Sequence, residues 1–375
     1  MLSIIIAISV INFSVSIGFG IQNEIKNKFS LISGDFYITN FKNEGFSTFD
    51  SINLNQIDFS IFENEKFNYI NKVIYNPGII PLENNFQDII FKGIESSNKD
   101  FLNPFIAGIS NIDIKINDII ISDYLSNKLE INVGDKTRFL FFKNKDSKIP
   151  IIRNFNVIGL YNSGISEFDS KVVIGNINQS ASINKWNINH VGALEISLHK
   201  NNPENNISSL FKHIPSSLDI QTSSQRFPDI FSWINLFDTN IYLIIILMTL
   251  VGGINMITAL LVTVLDKTKL IAILKIFGTK NSSVKKIFFI NGFYLILRGI
   301  FWGNLFSLTL MFLQKQFLFF KLDPSIYYSS FVPIEIDPFK LFFINLVVIL
   351  VSLIMLFIPI NAISKIKPNS TLKLS

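Results

Sequence analysis

Apolar and polar positions along the chain alternate between four long hydrophobic runs and one long polar region. A bilayer core of about 30 Å needs about 20 apolar residues in a helix. The runs cover residues 1–23, 239–265, 287–314 and 341–364, and the third carries a single charge, Arg298. A secretory signal is the alternative for the first run, but it lacks a basic n-region and a convincing small-residue cleavage site. The pattern therefore predicts four transmembrane helices, with an uncleaved first anchor.

The lysines of the connecting segments predict the orientation of these helices. Residues 266–286 contain six Lys against one acidic residue, and the tail 365–375 contains three Lys and no acid, whereas residues 315–340 balance three Lys with three acids. Lys and Arg are concentrated in short cytoplasmic loops. We therefore expect a cytoplasmic loop at 266–286, a cytoplasmic tail at 365–375 and an outer loop at 315–340. The polar region 24–238 then forms one large extracytoplasmic domain.

Composition supports a membrane protein and argues against a nucleic-acid partner. Charged residues make up 16% of the chain and hydrophobic residues 49%, whereas about a quarter of an average soluble chain is charged. Residues 21–240 contain 20 Lys and Arg against 24 Asp and Glu, so the large polar region lacks the basic surface of a nucleic-acid binder. The chain has no cysteine, which excludes disulfides, zinc-thiolate sites and thiol catalysis.

The second half of the polar region predicts an α+β fold with antiparallel hairpins. Ser122 is a candidate N-cap for a helix over residues 123–130, after the apolar triplet at 119–121. A strand is expected at 137–142, a polar hairpin tip at 143–148 and a strand pair over 149–161. Residues 40–65 are expected to contain strands and loops.

The sequence offers no catalytic or metal-binding motif. His190, His199 and His213 do not form an H-E-x-x-H pair, and Glu195 and His199 lie in a segment with the alternation of a strand. No G-x-S-x-G nucleophile elbow and no G-x-x-x-x-G-K-[ST] phosphate loop is present. These patterns count against a membrane hydrolase. We predict no catalytic residue, no metal and no bound cofactor for this chain.

Several features within the hydrophobic runs suggest specific roles. Arg298 either makes a polar contact between helices or extends its charge to the membrane surface, and Asn255 is a second polar residue within a span. Gly299 and Gly303 form a G-x-x-x-G pattern that permits close helix packing, although chance matches are frequent. Apolar residues at helical spacing before Tyr242 predict that the second span begins near residue 229 as a rigid stalk, and a loop before an ordinary span is the alternative.

The segment 264–280, VLDKTKLIAILKIFGTK, is the most distinctive stretch. It resembles the coupling segment of FtsX-like, type VII ABC transporter permeases, with Asp266 in place of the usual Glu and Thr279 in place of the usual Ala. Further similarity points to the Lol-type, lipoprotein-releasing branch. It lies in residues 253–259, in 322–328 with Pro333, in Pro359, and in 159–169 with Trp186 and Glu195.

The resemblance implies a fold, partners and site residues. The fold is four transmembrane helices with a MacB-like periplasmic core between the first two, located in the inner membrane. The partners are a cytoplasmic ABC ATPase that binds ATP and Mg, a second permease copy or paralogue, lipoprotein substrates, a periplasmic carrier and membrane lipid. A carrier contact would involve Trp186 and His190. The implied ATPase-coupling residues are Lys267, Lys269, Ile271, Ile273, Leu274, Lys275, Phe277 and Gly278.

Three other functions stay open from the sequence. Within the same superfamily, the chain resembles a MacB-like exporter subunit or a division-type permease that regulates cell-wall hydrolases, although the outer domain of the latter is usually much smaller. A membrane-anchored binding or sensory protein without an ATPase is the alternative from another class. Family members usually carry a short amphipathic segment before the first span, whereas this sequence begins within that span.

Overall fold

A computed structural model describes residues 1–43, 45–59, 67–83, 85–95, 114–142, 149–198 and 214–362. The predicted hairpin tip at 143–148, His199, His213 and the predicted tail at 365–375 lie outside these residues. The chain forms two compact units. The helical unit comprises Met1–Asn23, Ser232–Leu322 and Ser330–Ser375, and the sheet unit comprises Glu24–Phe231 and Asp323–Ser329.

The helices are α1 (Leu2–Ser33), α2 (Asp123–Leu129), α3 (Ser166–Asp169), α4 (Ile177–Asn184), α5 (Ser223–Arg226), α6 (Pro228–Asp266), α7 (Thr268–Ile276), α8 (Asn281–Phe317), α9 (Pro324–Tyr327) and α10 (Pro338–Ala362). The strands are β1 (Phe36–Asn40), β2 (Ile52–Asn53), β3 (Phe67–Pro81), β4 (Phe86–Ile94), β5 (Asp118–Ser122), β6 (Lys136–Phe141), β7 (Ile151–Tyr161), β8 (Val172–Asn176), β9 (His190–Val191), β10 (Ala193–Leu198) and β11 (Leu218–Thr222). A 3₁₀ turn covers Leu54–Gln56.

Four helices, α1, α6, α8 and α10, are long and apolar enough to cross a membrane. They coincide with the four hydrophobic runs of the sequence, and the expected α+β domain lies between α1 and α6. Helix α1 continues past the predicted end of its span to Ser33. Helix α6 begins at Pro228 and runs without interruption for 39 residues. The sequence left two alternatives for the second span, a long helix or a loop before an ordinary span. The structure contains the long helix.

The core of the helical unit is built around α1. In its most apolar window 56% of the residues are buried, against 17% for α10, so α1 is enclosed by its neighbours. Apolar side chains from all four long helices share one core cluster, which includes Ile8, Ile11, Leu260, Ile296 and Leu356. The other apolar faces of the long helices are exposed, as expected for surfaces that contact lipid or another membrane protein.

The described strands of the sheet unit form one nine-stranded sheet in the order β11-β1-β10-β3-β4-β8-β5-β7-β6, and β2 pairs with β9 separately. The far end of β3 also pairs with β6, through Gly78–Phe141 and Ile79–Leu140. Six strands of this sheet thus close into a ring, in the spatial order β3-β4-β8-β5-β7-β6. Phe91, Phe139 and Phe155 are fully buried and belong to the core of this part of the sheet.

The predicted helix at 123–130 is present because Ser122 caps it. The Ser122 Oγ accepts a hydrogen bond from the Leu125 N–H at 3.0 Å, and Glu130 ends the helix in the left-handed conformation. Strands β6 and β7 form the expected antiparallel hairpin. The strand pair predicted at 149–161 is wrong, since β7 is one strand that pairs with β6 on one side and parallel to β5 on the other. Local alternation cannot reveal such a parallel partner.

Candidate functional site

The segment between α6 and α8 is a short separate helix, α7, in the helical unit. Helix α6 ends at Asp266, and Lys267 has φ −96° and ψ 11°, which departs from helical geometry. The Ile271 N–H still donates to the Lys267 carbonyl at 2.9 Å, so α7 begins directly after this residue. Only one residue therefore separates α7 from the end of α6.

Gly278 ends α7 in a specific way. The Thr279 N–H donates to the Leu274 carbonyl at 3.0 Å, and the Gly278 N–H donates to the Lys275 carbonyl at 3.1 Å. These two hydrogen bonds are the Schellman arrangement, which requires a left-handed residue after the helix. Gly278 has φ +82°, a conformation that any side chain disfavours. Among the coupling residues implied by the resemblance, Gly278 thus defines where the segment turns back toward α8.

Helix α7 has one buried face and one exposed face. Ile271 and Ala272 are buried, and Ile271 belongs to the core cluster that also contains Val264 and Val284. The structure therefore places Ile271, one of the implied coupling residues, in the core of the helical unit and not on the exposed face of α7. The helical position of Ile271 turns it into the bundle, where it holds α7 in place. Leu274 is half-buried.

The exposed face carries large apolar side chains next to lysines. Phe277 is 83% exposed and Ile273 is 42% exposed, and Leu270 and Ile276 lie on the same surface. We call Leu270, Ile273, Ile276 and Phe277 the α7 patch. Exposed lysines adjoin the patch in sequence, and these are Lys267, Lys269, Lys280 and Lys286. Lys275 is half-buried. An apolar patch with a basic rim is typical of a protein interaction surface.

Gly299 and Gly303 bring α8 close to α1 within this chain. A Cβ atom at Gly299 would lie 2.6 Å from Ile4 Cγ2, and one at Gly303 would lie 2.9 Å from Ile8 Cβ. The Ser9 hydroxyl donates to the Gly303 carbonyl at 3.2 Å. The two glycines therefore allow α8 to pack closely against α1 within this chain, and a larger side chain at either position would push the two helices apart.

A cluster of polar side chains, mostly amides, joins α1, α8 and α10, and no motif in the sequence predicted it. Asn12 Nδ2 donates to Asn304 Oδ1 at 2.8 Å and to Ser307 Oγ at 2.9 Å. Asn345 Nδ2 donates to the same Asn304 oxygen at 3.1 Å. Asn12 and Ser307 are buried. Single Asn residues within apolar runs were the available signal, because polar groups in a span rarely face lipid.

The two polar residues predicted within the spans have different surroundings. Arg298 is exposed, and its guanidinium carbon lies 4.3 Å from the centre of the Tyr294 ring, one turn earlier on the same helix. The sequence left two alternatives for Arg298, a polar contact with another helix or a charge that extends to the membrane surface. Among the described residues, Arg298 makes no polar contact with another helix. Asn255 is exposed but donates through Nδ2 to the Ser3 Oγ at 2.8 Å, which links α6 to α1.

The sheet unit contains a buried cluster of three charged side chains. Lys92 Nζ lies 2.7 Å from Glu195 Oε2, Arg226 Nη1 lies 3.4 Å from Glu195 Oε1, and none of these side chains is more than 3% exposed. Lys92 Nζ also donates to the Ile32 carbonyl, and Arg226 Nη1 donates to Ser33 Oγ at 2.8 Å. The cluster thus attaches the end of α1 and the segment before α6 to the sheet.

The charges in this cluster are supported by aromatic rings. The Arg226 guanidinium carbon lies 3.7 Å from the centre of the Tyr37 ring, and Tyr75 donates a hydrogen bond to Glu195. Arg226 Nε and Nη2 have no hydrogen-bond partner among the described residues, so the ring faces offset part of their desolvation. Burial lowers the pKa of Lys92 although Glu195 opposes the shift. For Arg226, burial lowers the pKa, but Tyr75, Tyr37 and Glu195 outweigh it and the net shift is upward.

The proposed carrier-contact residues lie at a second place in the sheet unit. Trp186 is half-buried and packs against the core cluster that contains Val191 and Leu194. His190 Nδ1 is hydrogen-bonded to Asn187 Oδ1. The His190 side chain also lines a surface groove, together with Ile188. The described residues contain no group of three or more His, Cys, Asp or Glu side chains placed to hold a metal ion.

Comparisons with known proteins show similarity to a permease family and to several lipoprotein-releasing proteins. Residues 242–368 match the family model described as the FtsX-like permease C-terminal domain. The chain is 26% identical over 258 residues to the lipoprotein-releasing system transmembrane protein LolC of Buchnera aphidicola subsp. Acyrthosiphon pisum, which covers 68% of this chain and 63% of that protein. It is also 26% identical over 259 residues to LolC of Haemophilus influenzae, covering 68% of this chain and 64% of the relative.

Among solved structures, the periplasmic region of MacB from Actinobacillus actinomycetemcomitans matches with a TM-score of 0.36 and 12% identity, covering 55% of this chain and 97% of that chain. The chain spans a little under two thirds of the length of the first curated relatives.

The fold is that of a membrane protein with four apolar helices and an α+β domain inserted after the first. The family model described as the FtsX-like permease C-terminal domain matches the part of the chain that contains most of α6 together with α7, α8 and α10. The resemblance to FtsX-like permeases predicted from the sequence is therefore confirmed, and the similar curated proteins include several LolC proteins.

Proposed function

We propose that this chain is the non-catalytic permease subunit of an ABC transporter whose ATPase is a separate chain. The α7 patch is the observation that carries the proposal. Exposed apolar side chains, Phe277 above all, are held rigidly by the buried Ile271 and by the turn at Gly278. Such a preorganised surface on a loop between membrane helices suits a partner protein, because little conformational entropy is lost on binding. ATP and Mg would bind the partner, as this sequence has no phosphate loop.

The charge distribution supports the orientation of the proposed complex. The lysines beside the α7 patch support a cytoplasmic α7 by the positive-inside rule, and we propose that the sheet unit is on the periplasmic side of an inner membrane. A cytoplasmic α7 is accessible to an ATPase. An extracytoplasmic sheet unit is accessible to periplasmic proteins.

Helix α6 provides the proposed path for mechanical coupling. Its 39 residues are continuous between Pro228 and Asp266, and at 1.5 Å per residue they extend about 58 Å, about twice the bilayer core. Closure of the ATPase would displace α7, and the connection at Lys267 would pass this displacement to α6. The attachment of Arg226 to Glu195 would then carry it into the sheet.

The names of the relatives support a proposal for the substrate and the extracytoplasmic partner. LolC proteins are described as components of a lipoprotein-releasing system. We propose that this chain helps to move lipoproteins out of the inner membrane to a periplasmic carrier, together with a second permease copy or a paralogue. The exposed apolar faces of the long helices are available for that second permease and for lipid.

A pair of substitutions tests the interaction with an ATPase. Ile273→Asp with Phe277→Asp places two charges on the α7 patch. We expect normal membrane levels but loss of the ATPase on affinity purification of the tagged chain. Ile188→Asp is the control, because Ile188 is 86% exposed but lies in the sheet unit. Retention of the ATPase by the double variant would contradict the proposal, as would absence of any ATPase from the unmodified complex.

Labelling of single cysteines tests the orientation in this cysteine-free chain. Asn127 and Ser282 are exposed in the sheet unit and in the helical unit, respectively. An impermeant maleimide should label Asn127→Cys in cells with a permeable outer membrane and should label Ser282→Cys only after lysis. The reverse pattern would overturn the orientation.

A further inference from the structure

The connection between α8 and α10 divides between the two units. Residues Asp323–Ser329 belong to the sheet unit, whereas the flanking residues Leu322 and Ser330 belong to the helical unit. The flanks are closed by a hydrogen bond from the Leu322 N–H to the Ser330 carbonyl at 3.0 Å and by a bridge between Lys321 and Phe331. The seven intervening residues thus form a loop with fixed ends. We call Asp323–Ser329 the docking segment.

Tyr328 holds an unusual backbone conformation within this segment. Its φ is +56°, in the left-handed region that bulky residues rarely adopt. The Tyr328 N–H donates to the Pro324 carbonyl at 3.0 Å, which closes the short helix α9. Such strain persists only where surrounding contacts compensate for it. The contacts of Tyr328 therefore indicate which residues hold the docking segment in this conformation.

Two residues of the sheet unit hold Tyr328. Its hydroxyl donates to Glu167 Oε1 at 3.0 Å, and its carbonyl accepts a hydrogen bond from Lys28 Nζ near the end of α1. Burial, followed by the charge of Glu167, raises the pKa of Tyr328 to about 12, so the hydroxyl keeps its proton at neutral pH. Gly164 leaves the space for this contact, since a Cβ there would lie 3.1 Å from Lys28 Nζ and 3.7 Å from the Tyr328 oxygen.

The surface that receives Tyr328 is itself fixed. Asp169 Oδ1 accepts hydrogen bonds from the Ser163 hydroxyl at 2.6 Å and from its N–H at 3.2 Å, which holds the turn that contains Gly164. Phe168, between Glu167 and Asp169, packs with its ring centre 6.4 Å from that of Phe29 and 6.2 Å from that of Phe227. Phe29 lies on α1, and Phe227 immediately precedes α6. Within the sheet unit, the receiving surface therefore packs with a residue of α1 and with the residue that precedes α6.

Two stretches that the sequence analysis singled out thus meet in the structure. Residues 159–169 provide Gly164, Glu167 and Asp169, and residues 322–328 provide Tyr328. Neither stretch is part of the α7 patch.

We propose that Tyr328 is a positioning residue that keeps the docking segment permanently attached to the sheet unit through Glu167 and Lys28, so that movements of α8 and α10 reach this unit through a second path beside α6. The inference rests on the proposed function, since it concerns motion driven by a separate ATPase. In this account α6 alone moves the sheet unit incompletely. The docking segment makes the sheet unit follow α8 and α10 as well as α6.

A fluorescence experiment on the reconstituted complex tests this path. The reporter is an environment-sensitive dye on Asn127→Cys, an exposed site on α2, and the signal is its change when ATP is added. Tyr328→Phe removes the donor and Glu167→Ala the acceptor, and a hydrogen bond of this kind contributes about threefold to tenfold to an equilibrium. We expect each variant to reduce the ATP-dependent signal at least about threefold, with the ATPase still bound.

Matched variants separate this role from a general structural one. Glu167→Gln keeps an oxygen that accepts the Tyr328 hydrogen bond, and it should retain most of the signal. Tyr327→Phe removes the hydroxyl of the neighbouring tyrosine and should have no effect. The double variant Tyr328→Phe with Glu167→Ala should lose no more signal than either single variant, because both remove the same bond. Additive losses, or an undiminished signal in Tyr328→Phe and Glu167→Ala, would overturn the inference.

Cross-linking tests whether the attachment is permanent. Cysteines at Glu167 and Tyr328 should be joined by a short bismaleimide in native membranes, with the linked peptides detected by mass spectrometry. The cross-linked complex should keep its ATP-dependent signal. Absence of the cross-link, or loss of the signal after cross-linking, would contradict a permanently docked segment. An unmodified complex without an ATPase or without any ATP-dependent signal would instead refute the proposed function.

Discussion

Ile271 and Phe277 lie six residues apart around α7, and Ile271 is 1% exposed whereas Phe277 is 83% exposed. Six residues of an α-helix correspond to a rotation of about 240° beyond one full turn, so the two side chains point in different directions. Ile271 packs in the core of the helical unit. Phe277 lies at the C-terminal end of the α7 patch. One short helix therefore combines an attachment face with a face that is free for a partner.

The two faces of α7 predict separable defects. Ile271→Ala should destabilise the helical unit by about 2–5 kcal/mol, the usual cost of removing a buried Ile side chain. Phe277→Ala should leave stability within about 0.5 kcal/mol, as for most surface substitutions, but should weaken ATPase binding. Thermal unfolding in detergent and affinity purification would measure the two effects. Equal loss of stability in both variants would contradict the division into two faces.

The turn at Gly278 predicts a defect of backbone origin. Gly278→Ala places a Cβ on a residue with φ +82°, which costs about 1–2 kcal/mol in the left-handed region. We expect weaker ATPase binding in a titration, because the end of α7 loses its fixed geometry. Gly134→Ala is the matched control. It introduces a side chain at φ +101° in the sheet unit, and neither glycine has atoms within 4 Å of the added Cβ. Equal binding by both variants would argue against a role for this turn.

The amide cluster predicts coupling between Asn12 and Ser307. Hydrogen bonds between membrane helices contribute about 0.6 kcal/mol on average and at most about 1.7 kcal/mol. Asn12→Ala and Ser307→Ala should each lower stability in steric-trap unfolding. The double variant should lose less than the sum, because the 2.9 Å bond is lost in either single variant. Strict additivity would show that this hydrogen bond does not hold α1 on α8.

The buried charge cluster predicts a contrast between two ion pairs of similar length. The Lys92–Glu195 distance is 2.7 Å with both side chains buried, and the Lys72–Glu95 distance is 2.9 Å with both about one third exposed. Removing one partner of a buried pair costs about 3–5 kcal/mol, whereas an exposed pair contributes about 0–1 kcal/mol. Glu195→Ala should therefore make the sheet unit sensitive to limited proteolysis, and Glu95→Ala should not. Equal resistance would show that the buried cluster does not stabilise this unit.

The sequence predicted the membrane helices well because length and apolar character alone define them. Arg298 shows a limit of prediction from length and apolar character, because the sequence of an apolar run does not reveal whether a charged side chain within it faces another helix. Ile271 shows the same limit for α7. Apolar residues that dock on the bundle and those that await a partner have the same chemistry, and only the direction of each side chain separates them.

Other parts of the site could not be predicted because they depend on contacts distant in sequence. Lys92, Glu195 and Arg226 are more than thirty residues apart along the chain. Lys92 lies among the apolar residues at the end of strand β4, and a charge at this position was the available signal for a buried partner. The parallel pairing of β5 with β7 and the contact of Tyr328 with Glu167 left no local pattern.

Photo-cross-linking from Phe277 tests the central claim, that the α7 patch binds a separate ATPase, most directly. A benzoylphenylalanine at position 277 should cross-link in intact cells to a protein whose tryptic peptides include a G-x-x-x-x-G-K-[ST] motif. The same group at Ile188, which is 86% exposed in the sheet unit, should not capture that protein. Cross-links from position 277 only to lipid, to a second copy of this chain or to proteins without a phosphate loop would contradict the account.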